Sequence, residues 1–416
     1  SLGLVGSEMC IRDRYRKEGG IFPRLLRYAP LTLSTLASLV PDELKASIEL
    51  NDEIAKKINY NDRPDIVAIS AITGTVNRAY AIADHYRKKG VCVVIGGVHA
   101  SLMPDEALNH ADAIVTGMAF ETWPQLLLDF KNGALKRHYD QSPQMNFSNL
   151  PLPRKDLLPK FSYISKNTIQ ATFGCPYKCD FCAVISTQKK YLRRPVEDVI
   201  KEISEMNGNF VTFIDPSPME DKKYIKRLLR EMIPLKKMWG GLATVKIGDD
   251  EELMDLCAES GCKGLLIGFE SVEQDALVEI NKGFNVVEKY RNLCTRLHER
   301  GIAINGTFIF GMDSDTKDTF RRTVDFVQEN AIELPRYAIY TPFPGTGAFR
   351  KLESQNRILT RNWSLYDVQH VVYQPKNLTP DELFEGSIWA WENTYKYKNM
   401  KAVSYTHLRA HETEAD

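Results

Sequence analysis

The sequence predicts an α/β protein with two parallel-sheet units in series: a doubly wound, Rossmann-like sheet, a partial TIM-type (β/α)6 barrel, and a helical C-terminal extension. Three observations predict it. Short apolar runs rich in branched residues alternate with amphipathic stretches, the pattern of strands buried on both faces and joined by helices. The runs end on glycine, proline or small polar residues, where a parallel strand hands over to its helix. A polar segment with four prolines, 133–160, divides the alternation into two blocks and reads as a linker.

The first block spans residues 15–132. Ile66–Ser70, Val91–Ile95 and Ala113–Val115 read as strands, with Ser47–Leu50 as one more. Arg78–Lys89, closed by Gly90, Pro104–Asn109 and Trp123–Phe130 read as helices. A first strand expected ahead of these is missing. Ser1–Arg14 and Ala402–Asp416 follow no structural period and resemble translated sequencing-adapter sequence. Both are expected to be non-native tails, with a natural chain that extends beyond Tyr15 and Lys401.

The second block spans residues 161–346. Its strands are Thr168–Thr172, Phe210–Asp215, Gly240–Val245, Gly264–Glu270, Ala303–Phe310 and Tyr337–Thr341. Between them lie helices at Pro195–Met206, Tyr224–Met232, Glu251–Glu259, Gln274–Ile280, Val287–Arg300 and Lys317–Glu329. Six such repeats suit a parallel barrel with its site at the C-terminal strand ends. The extension, 347–401, is helical, irregular around Trp363–Asn377, then helical from Pro380. Its Tyr366, Tyr373, Trp389 and Trp391 read chiefly as helical core packing, with a hydrophobic substrate pocket as the alternative.

A chain of 416 residues with zero formal net charge has no global attraction to nucleic acid or anionic membrane. No apolar run approaches the roughly 18 residues of a membrane span, and no signal peptide opens the chain. A cytoplasmic protein is expected. Eight cysteines, three of them within eight residues, do not form a disulfide framework.

Those three are Cys175, Cys179 and Cys182, in Gly174-Cys-Pro-Tyr-Lys-Cys-Asp-Phe181-Cys after the first barrel strand. Thiolates suit iron–sulfur clusters or zinc. Three ligands leave one iron of a [4Fe–4S] cluster open, where an electron carrier would use four. Zinc would want a fourth Cys or His at regular spacing, and none follows. Buried structural cysteines are the other alternative.

CxxxCxxC with an aromatic before the last Cys, after the first strand of a βα-repeat domain, resembles the radical S-adenosylmethionine (SAM) superfamily. The resemblance implies a [4Fe–4S] cluster whose open iron binds SAM and whose electron releases a 5′-deoxyadenosyl radical. It places Phe181 against the adenine. Asp215 falls where many members carry Gly-Gly-Glu for the SAM amino group, with a turn-forming role as the alternative. Glu270 and Ser271 fall where a carboxylate meets the ribose, with an ion pair to Lys282 as the alternative. Gly306 and Gly311 would let a cofactor approach the backbone, or serve as a bulge or turn.

The first block resembles the N-terminal cobalamin-binding domain of one radical SAM subgroup. The matching residues include Pro64-Asp65-Ile66-Val67-Ala68-Ile69-Ser70, Gly96-Gly97-Val98-His99 and Glu121-Thr122-Trp123-Pro124. The resemblance implies that Ser70, Gly96 and Gly97 line the cleft for the cobalamin tail. His99 would contact the corrin or its tail, or cap the next loop. No Asp-x-His-x-x-Gly segment supplies a cobalt ligand. The function implied is a cobalamin-associated methyltransferase acting on an unactivated centre of a small-molecule or lipid-like substrate, with flavodoxin or ferredoxin as electron donor and no nucleic-acid partner. The alternatives are a cobalamin-independent radical SAM enzyme and a non-catalytic iron–sulfur protein.

Overall fold

The computed structural model describes residues 2–7, 28–53, 55–142, 144–159, 163, 165–188 and 190–396. Six parallel strands form the first sheet: β1 (Leu2–Ser7), β2 (Ile48–Asp52), β3 (Ile66–Ala71), β4 (Cys92–Gly96), β5 (Ala113–Thr116) and β6 (His138–Asp140). Their order is β2-β1-β3-β4-β5-β6. Helices α1 (Leu31–Ser38), α2 (Val76–Lys88), α3 (Val98–Leu102), α4 (Pro104–His110) and α5 (Thr122–Lys131) belong to this domain. Alternate residues of one strand serve opposite faces: Val67 and Ile69 pack with Ile82 and Ala83 of α2, whereas Ile66 and Ala68 pack with Leu33 of α1 and Trp123 of α5. Both faces are therefore apolar, as the near-continuous strands predicted.

The structure departs from the sequence reading at two places. Leu2–Ser7, read as part of a non-native tail, occupies the place of the missing first strand, in register with β2 and β3. An empty place between those strands would leave two rows of backbone N–H and C=O groups unpaired inside a sheet. Residues 8–14 and 402–416 of the adapter-like segments lie outside the described residues. The domain also continues past residue 132, because His138–Asp140 pairs with β5. Of that edge strand only Tyr139 is buried, so it carries no apolar run for a sequence reading to detect.

The second sheet is an open, six-stranded parallel barrel. After β7 (Thr168–Ile169), a two-stranded ribbon of β8 (Thr172–Phe173) and β9 (Leu192–Arg193) intervenes. The remaining strands are β10 (Phe210–Phe213), β11 (Met238–Ala243), β12 (Cys262–Glu270), β13 (Ala303–Phe310) and β14 (Arg336–Ile339). Each lies beside its predecessor, in the order β14-β13-β12-β11-β10-β7. The helices are α6 (Ala183–Thr187), α7 (Val196–Glu205), α8 (Lys222–Met232), α9 (Glu251–Glu259), α10 (Gln274–Glu279), α11 (Tyr290–His298) and α12 (Lys317–Glu329). The expected first barrel strand is split in two. Its break is held by Asp215, whose Oδ1 accepts from the Ala171 N–H at 2.9 Å, from the Thr172 N–H, and from the Thr172 hydroxyl at 2.8 Å.

The extension adds α13 (Gly347–Ser354) and α14 (Pro380–Thr394). Between them the chain crosses to the first domain, where Trp363, Tyr366 and Val372 join the core against Val67 and Ile82. Tyr366 is thus core, though not in a helix. Tyr373 is buried with its hydroxyl on the Gly311 carbonyl, whereas Trp389 is exposed.

The turn after β13 carries a pH signature. Asp315 is buried and its Oδ2 accepts from the Gly311 and Met312 N–H groups at 2.8 and 3.0 Å. Burial, helped by Glu279 and Glu273, nevertheless pushes its carboxyl up to about 7. A folded-state value above the unfolded one means the folded protein holds the extra proton between about pH 4 and 7. Asp315 therefore removes stability as pH rises through that window. Asp315→Asn is expected to gain stability relative to wild type at pH 8 over pH 5, by roughly 2–4 kcal/mol in urea unfolding. Equal shifts at both values would refute it.

Candidate cofactor and active site

The cysteine loop follows β8 and is pinned at both ends. Gly174 adopts φ +75°, and a Cβ there would collide with the Lys190 carbonyl. Further along, the Asp180 N–H donates to the Ile280 carbonyl at 3.1 Å, and the Ala348 N–H donates to the Asp180 carbonyl at 3.0 Å. Tyr177 stacks on Phe284 with ring centroids 4.1 Å apart. The loop is thereby tied to the segment after β12 and to α13. Cys179 is buried, and Cys175 and Cys182 are half-buried. Burial pushes Cys179 up to about 12 and raises Cys182, with Lys282 opposing in both cases. Among the described residues no three Cys, His, Asp or Glu side chains converge on one ion. A zinc tetrahedron would need sulfurs only about 3.8 Å apart, from Zn–S bonds near 2.3 Å. Three thiolates suit a cluster that keeps one iron open, and among the described residues no Cys or His stands with them to complete a zinc tetrahedron.

Glu270 ends β12 with φ +64°, an uncommon left-handed conformation for a residue with a side chain. The register with β13 shifts at this point, and the side chain meets Lys282 at 2.6 Å. Gly268 makes room: a Cβ there would lie 2.6 Å from Glu270 Oε1 and 2.8 Å from Lys282 Nζ. Both charged residues are 8% exposed. Burial pulls Lys282 down, but Glu270 and the nearby Cys179 and Cys182 outweigh it and hold it above its ordinary value. The ion pair weighed in the sequence is thus present, beside the cysteine loop. Ser271 is buried, and its hydroxyl accepts from the Glu273 N–H at 3.0 Å, a turn leading into α10.

Asp215 is displaced from its expected role. It is fully buried, with one oxygen committed to the β7–β8 break, and Oδ2 has no partner among the described residues. Five residues on, Glu220 is a further carboxylate beside the cysteine loop. It accepts from the Tyr177 hydroxyl, from Ser217 at 3.2 Å and from Thr244 at 3.0 Å. Sequence reasoning passed it over because it lies in a loop beyond the strand that carried the motif comparison. Phe181 packs partly buried against the barrel core. Gly306 of β13 and Gly311 just after it face the chain's own side chains. A Cβ on Gly306 would meet Ile332, Phe308 and Phe269 at 3.1–3.3 Å, and one on Gly311 would strike Tyr373 and Leu383. Internal packing is reason enough for both.

At the C-terminal ends of β3, β4 and β5 a cleft opens. Small residues line its rim, Ser70, Gly96, Gly97 and Gly117 among them, and it runs down the sheet between Val94, Val115, Leu33 and Trp123. It lies at the place where doubly wound sheets bind ligands, and its apolar walls beneath a rim of small residues let a cofactor lie against the backbone. Phe173, Thr187 and Gln188, which flank the cysteine loop, line the same cleft, and α3 packs on α6. Gly97, with φ +92°, leaves no room for a side chain: a Cβ would lie 2.8–2.9 Å from Ala71 O, Ala71 N and Ser70 Oγ. Gly97→Ala is expected to cost roughly 1–3 kcal/mol of first-domain stability and to weaken retention of a ligand held in the cleft. Chemical denaturation within 0.5 kcal/mol of wild type would contradict this.

His99 is not in that cleft. It is fully buried on the other side, with Nδ1 3.1 Å from Thr73 Oγ1 and Nε2 3.2 Å from Glu106 Oε1. Glu106 also accepts from Tyr80 at 3.0 Å and from the Trp363 indole N–H at 3.0 and 3.1 Å. Burial holds His99 below its ordinary value, with Glu106 opposing. His99 therefore helps clasp the C-terminal extension to the first domain, a role set by a residue more than 250 positions away.

Fold and site define a class of enzyme in which a three-cysteine loop at an open barrel's mouth shares a cleft with a doubly wound cofactor domain. Comparison with known proteins agrees. Residues 169–327 match the model of the radical SAM superfamily, and residues 38–127 match that of the B12 binding domain. The chain is 32% identical over 343 residues to bacteriochlorophyllide d C-12(1)-methyltransferase of Chlorobaculum tepidum, covering 80% of this chain and 75% of the relative. It is also 32% identical over 377 residues to the C-8(2)-methyltransferase of that organism, covering 84% and 82%. The fold resembles that of OxsB, a cobalamin-dependent SAM radical enzyme solved with aqua-cobalamin and SAM, with TM-score 0.73, 15% identity, and coverage of 99% of this chain and 71% of that one. The chain belongs to the radical SAM superfamily, in the branch that joins a B12-binding domain to the radical SAM barrel and includes cobalamin-dependent methyltransferases. It is an enzyme of that B12-dependent methyltransferase type, with a [4Fe–4S] cluster, SAM and cobalamin as its cofactors. No helix among the described residues is long and apolar enough to cross a membrane.

Proposed function

We propose that this enzyme transfers a methyl group from SAM to an unactivated carbon of a tetrapyrrole-like macrocycle, in the cytoplasm, with electrons from a flavodoxin or ferredoxin. The observation that carries the reading is the shared cleft: residues flanking the cysteine loop and residues at the first domain's strand ends line one space. The tetrapyrrole class is supported by the two 32%-identical relatives, whose alignments run through both domains. When bound, the cofactors supply a transferable methyl group and a 5′-deoxyadenosyl radical; one SAM serves each role and two electrons enter per turnover, leaving S-adenosylhomocysteine, 5′-deoxyadenosine and methionine.

The chain's own residues bind and orient. Cys175, Cys179 and Cys182 ligate the cluster. Lys282, buried beside them, offers its positive charge to the SAM carboxylate, and Glu270 keeps that cation oriented. Glu220 takes the SAM ammonium in place of Asp215, because its three present partners are hydroxyls, which leave its charge uncompensated. Phe181 stands by the adenine. Ser70, Gly96 and Gly97 form the rim of the cobalamin cleft. The experiment is anaerobic turnover of the reconstituted enzyme with methyl-deuterated SAM and bacteriochlorophyllide d. A product about three mass units heavier than that formed from unlabelled SAM, appearing with 5′-deoxyadenosine, is the expected result. 5′-Deoxyadenosine and S-adenosylhomocysteine without label in the macrocycle would exclude that acceptor class.

A further inference from the structure

We infer that Arg194 binds the phosphodiester of cobalamin's nucleotide tail and makes the first domain's cleft selective for the complete cofactor over its nucleotide-free precursor. The inference rests on the reading that the cleft holds cobalamin. The cleft wall is otherwise uncharged: among the described residues lining it, only Arg194 and Glu202 carry charge. Glu202 is already committed. Its Oε2 accepts from Arg194 Nη1 at 2.8 Å, and its Oε1 accepts from Lys155 Nζ at 3.2 Å. Two cations on one carboxylate leave one positive charge in excess at a buried place, where Arg194 is 7% and Glu202 3% exposed. Arg194 is also incompletely satisfied. Nη1 donates to the Gln170 carbonyl at 3.0 Å as well, but Nε has no partner among the described residues.

A buried, unpartnered guanidinium donor is costly in the empty protein and calls for an acceptor. Cobalamin offers one anionic group, the phosphodiester that joins the corrin side chain to the nucleotide. Its remaining peripheral groups are neutral amides. A guanidinium suits phosphate oxygens in charge and in fork geometry. The placement fits as well. Arg194 precedes α7 in the barrel, yet it lines the same space as Pro153 of the connecting segment and Leu36 of α1. The second domain thus closes the tail cleft of the first and contributes its cation.

The test compares binding of cobalamin with binding of cobinamide, which lacks the phosphate and nucleotide, to the full chain by equilibrium dialysis with absorption readout. Arg194→Gln is expected to weaken cobalamin binding about 10- to 100-fold and to leave cobinamide binding within about twofold. Cobinamide binding by the variant shows that it is folded. Arg194→Lys, which keeps the charge and loses the fork, is expected to fall between, and it decides the matter should the Gln variant not fold. Equal loss for both ligands, or no loss for either, would overturn the role of Arg194 while leaving the cobalamin reading intact. A wild type that binds neither ligand would overturn both.

Discussion

Cys179→Ala is expected to lower 5′-deoxyadenosine formation by at least about 10³-fold, some 4 kcal/mol or more of lost rate acceleration. Cobalamin retention and the unfolding midpoint are expected to stay near wild type. The reason is positional. Cys179 is the central cysteine of a loop fixed by main-chain bonds to the β12–α10 side and to α13, so the backbone places the remaining ligands whether or not its sulfur is there. Two thiolates cannot hold a cluster that keeps one iron open for SAM. Liquid chromatography with mass detection of 5′-deoxyadenosine, beside iron analysis, makes the measurement. A variant with full iron content and activity within tenfold of wild type would show that the three-cysteine assignment is wrong.

The Glu270–Lys282 pair carries the second large effect. A buried ion pair contributes little net stability, because desolvation offsets the attraction, but removing one partner strands the other at a cost of about 3–5 kcal/mol. Glu270→Leu is therefore expected to destabilise the barrel by that amount, and Glu270→Leu with Lys282→Met to recover most of it. The recovered double variant is expected to bind SAM at least about tenfold more weakly, since the cation beside the cysteine loop is gone. A double variant as unstable as the single one would overturn the stranded-charge account, and one whose calorimetric SAM affinity lies within twofold of wild type would show that the pair is structural only. The strained backbone at Glu270 and the glycine at 268 that makes room for the pair are what a merely stabilising ion pair would not require.

Much of this was legible before any coordinates. Apolar runs and amphipathic periods announce themselves in the sequence, so the bounds read for Ala303–Phe310 and for the helices Glu251–Glu259 and Lys317–Glu329 coincide with the structure. The three cysteines were legible because their chemistry and spacing are local. Edge strands were not: His138–Asp140 buries one side chain and is defined by its pairing with β5. Leu2–Ser7 is likewise a strand because two others flank it.

Side-chain roles divide along the same line. The sequence by itself determined the two-domain α/β order, the cysteine loop, and the glycines at strand ends that leave a cleft open. These follow from periodicity, from backbone torsion and from ligand spacing, each of which acts over a few residues. Only the tertiary structure decided that His99 belongs to the clasp with Glu106 and Trp363 rather than to the cofactor, that Asp215 ties a strand break, that Glu220 faces Tyr177, and that Arg194 of the barrel enters the first domain's cleft. Each of those roles depends on which distant group shares a polar side chain's buried surroundings, and hydrogen bonds and charges are satisfied in space, without regard to separation along the chain.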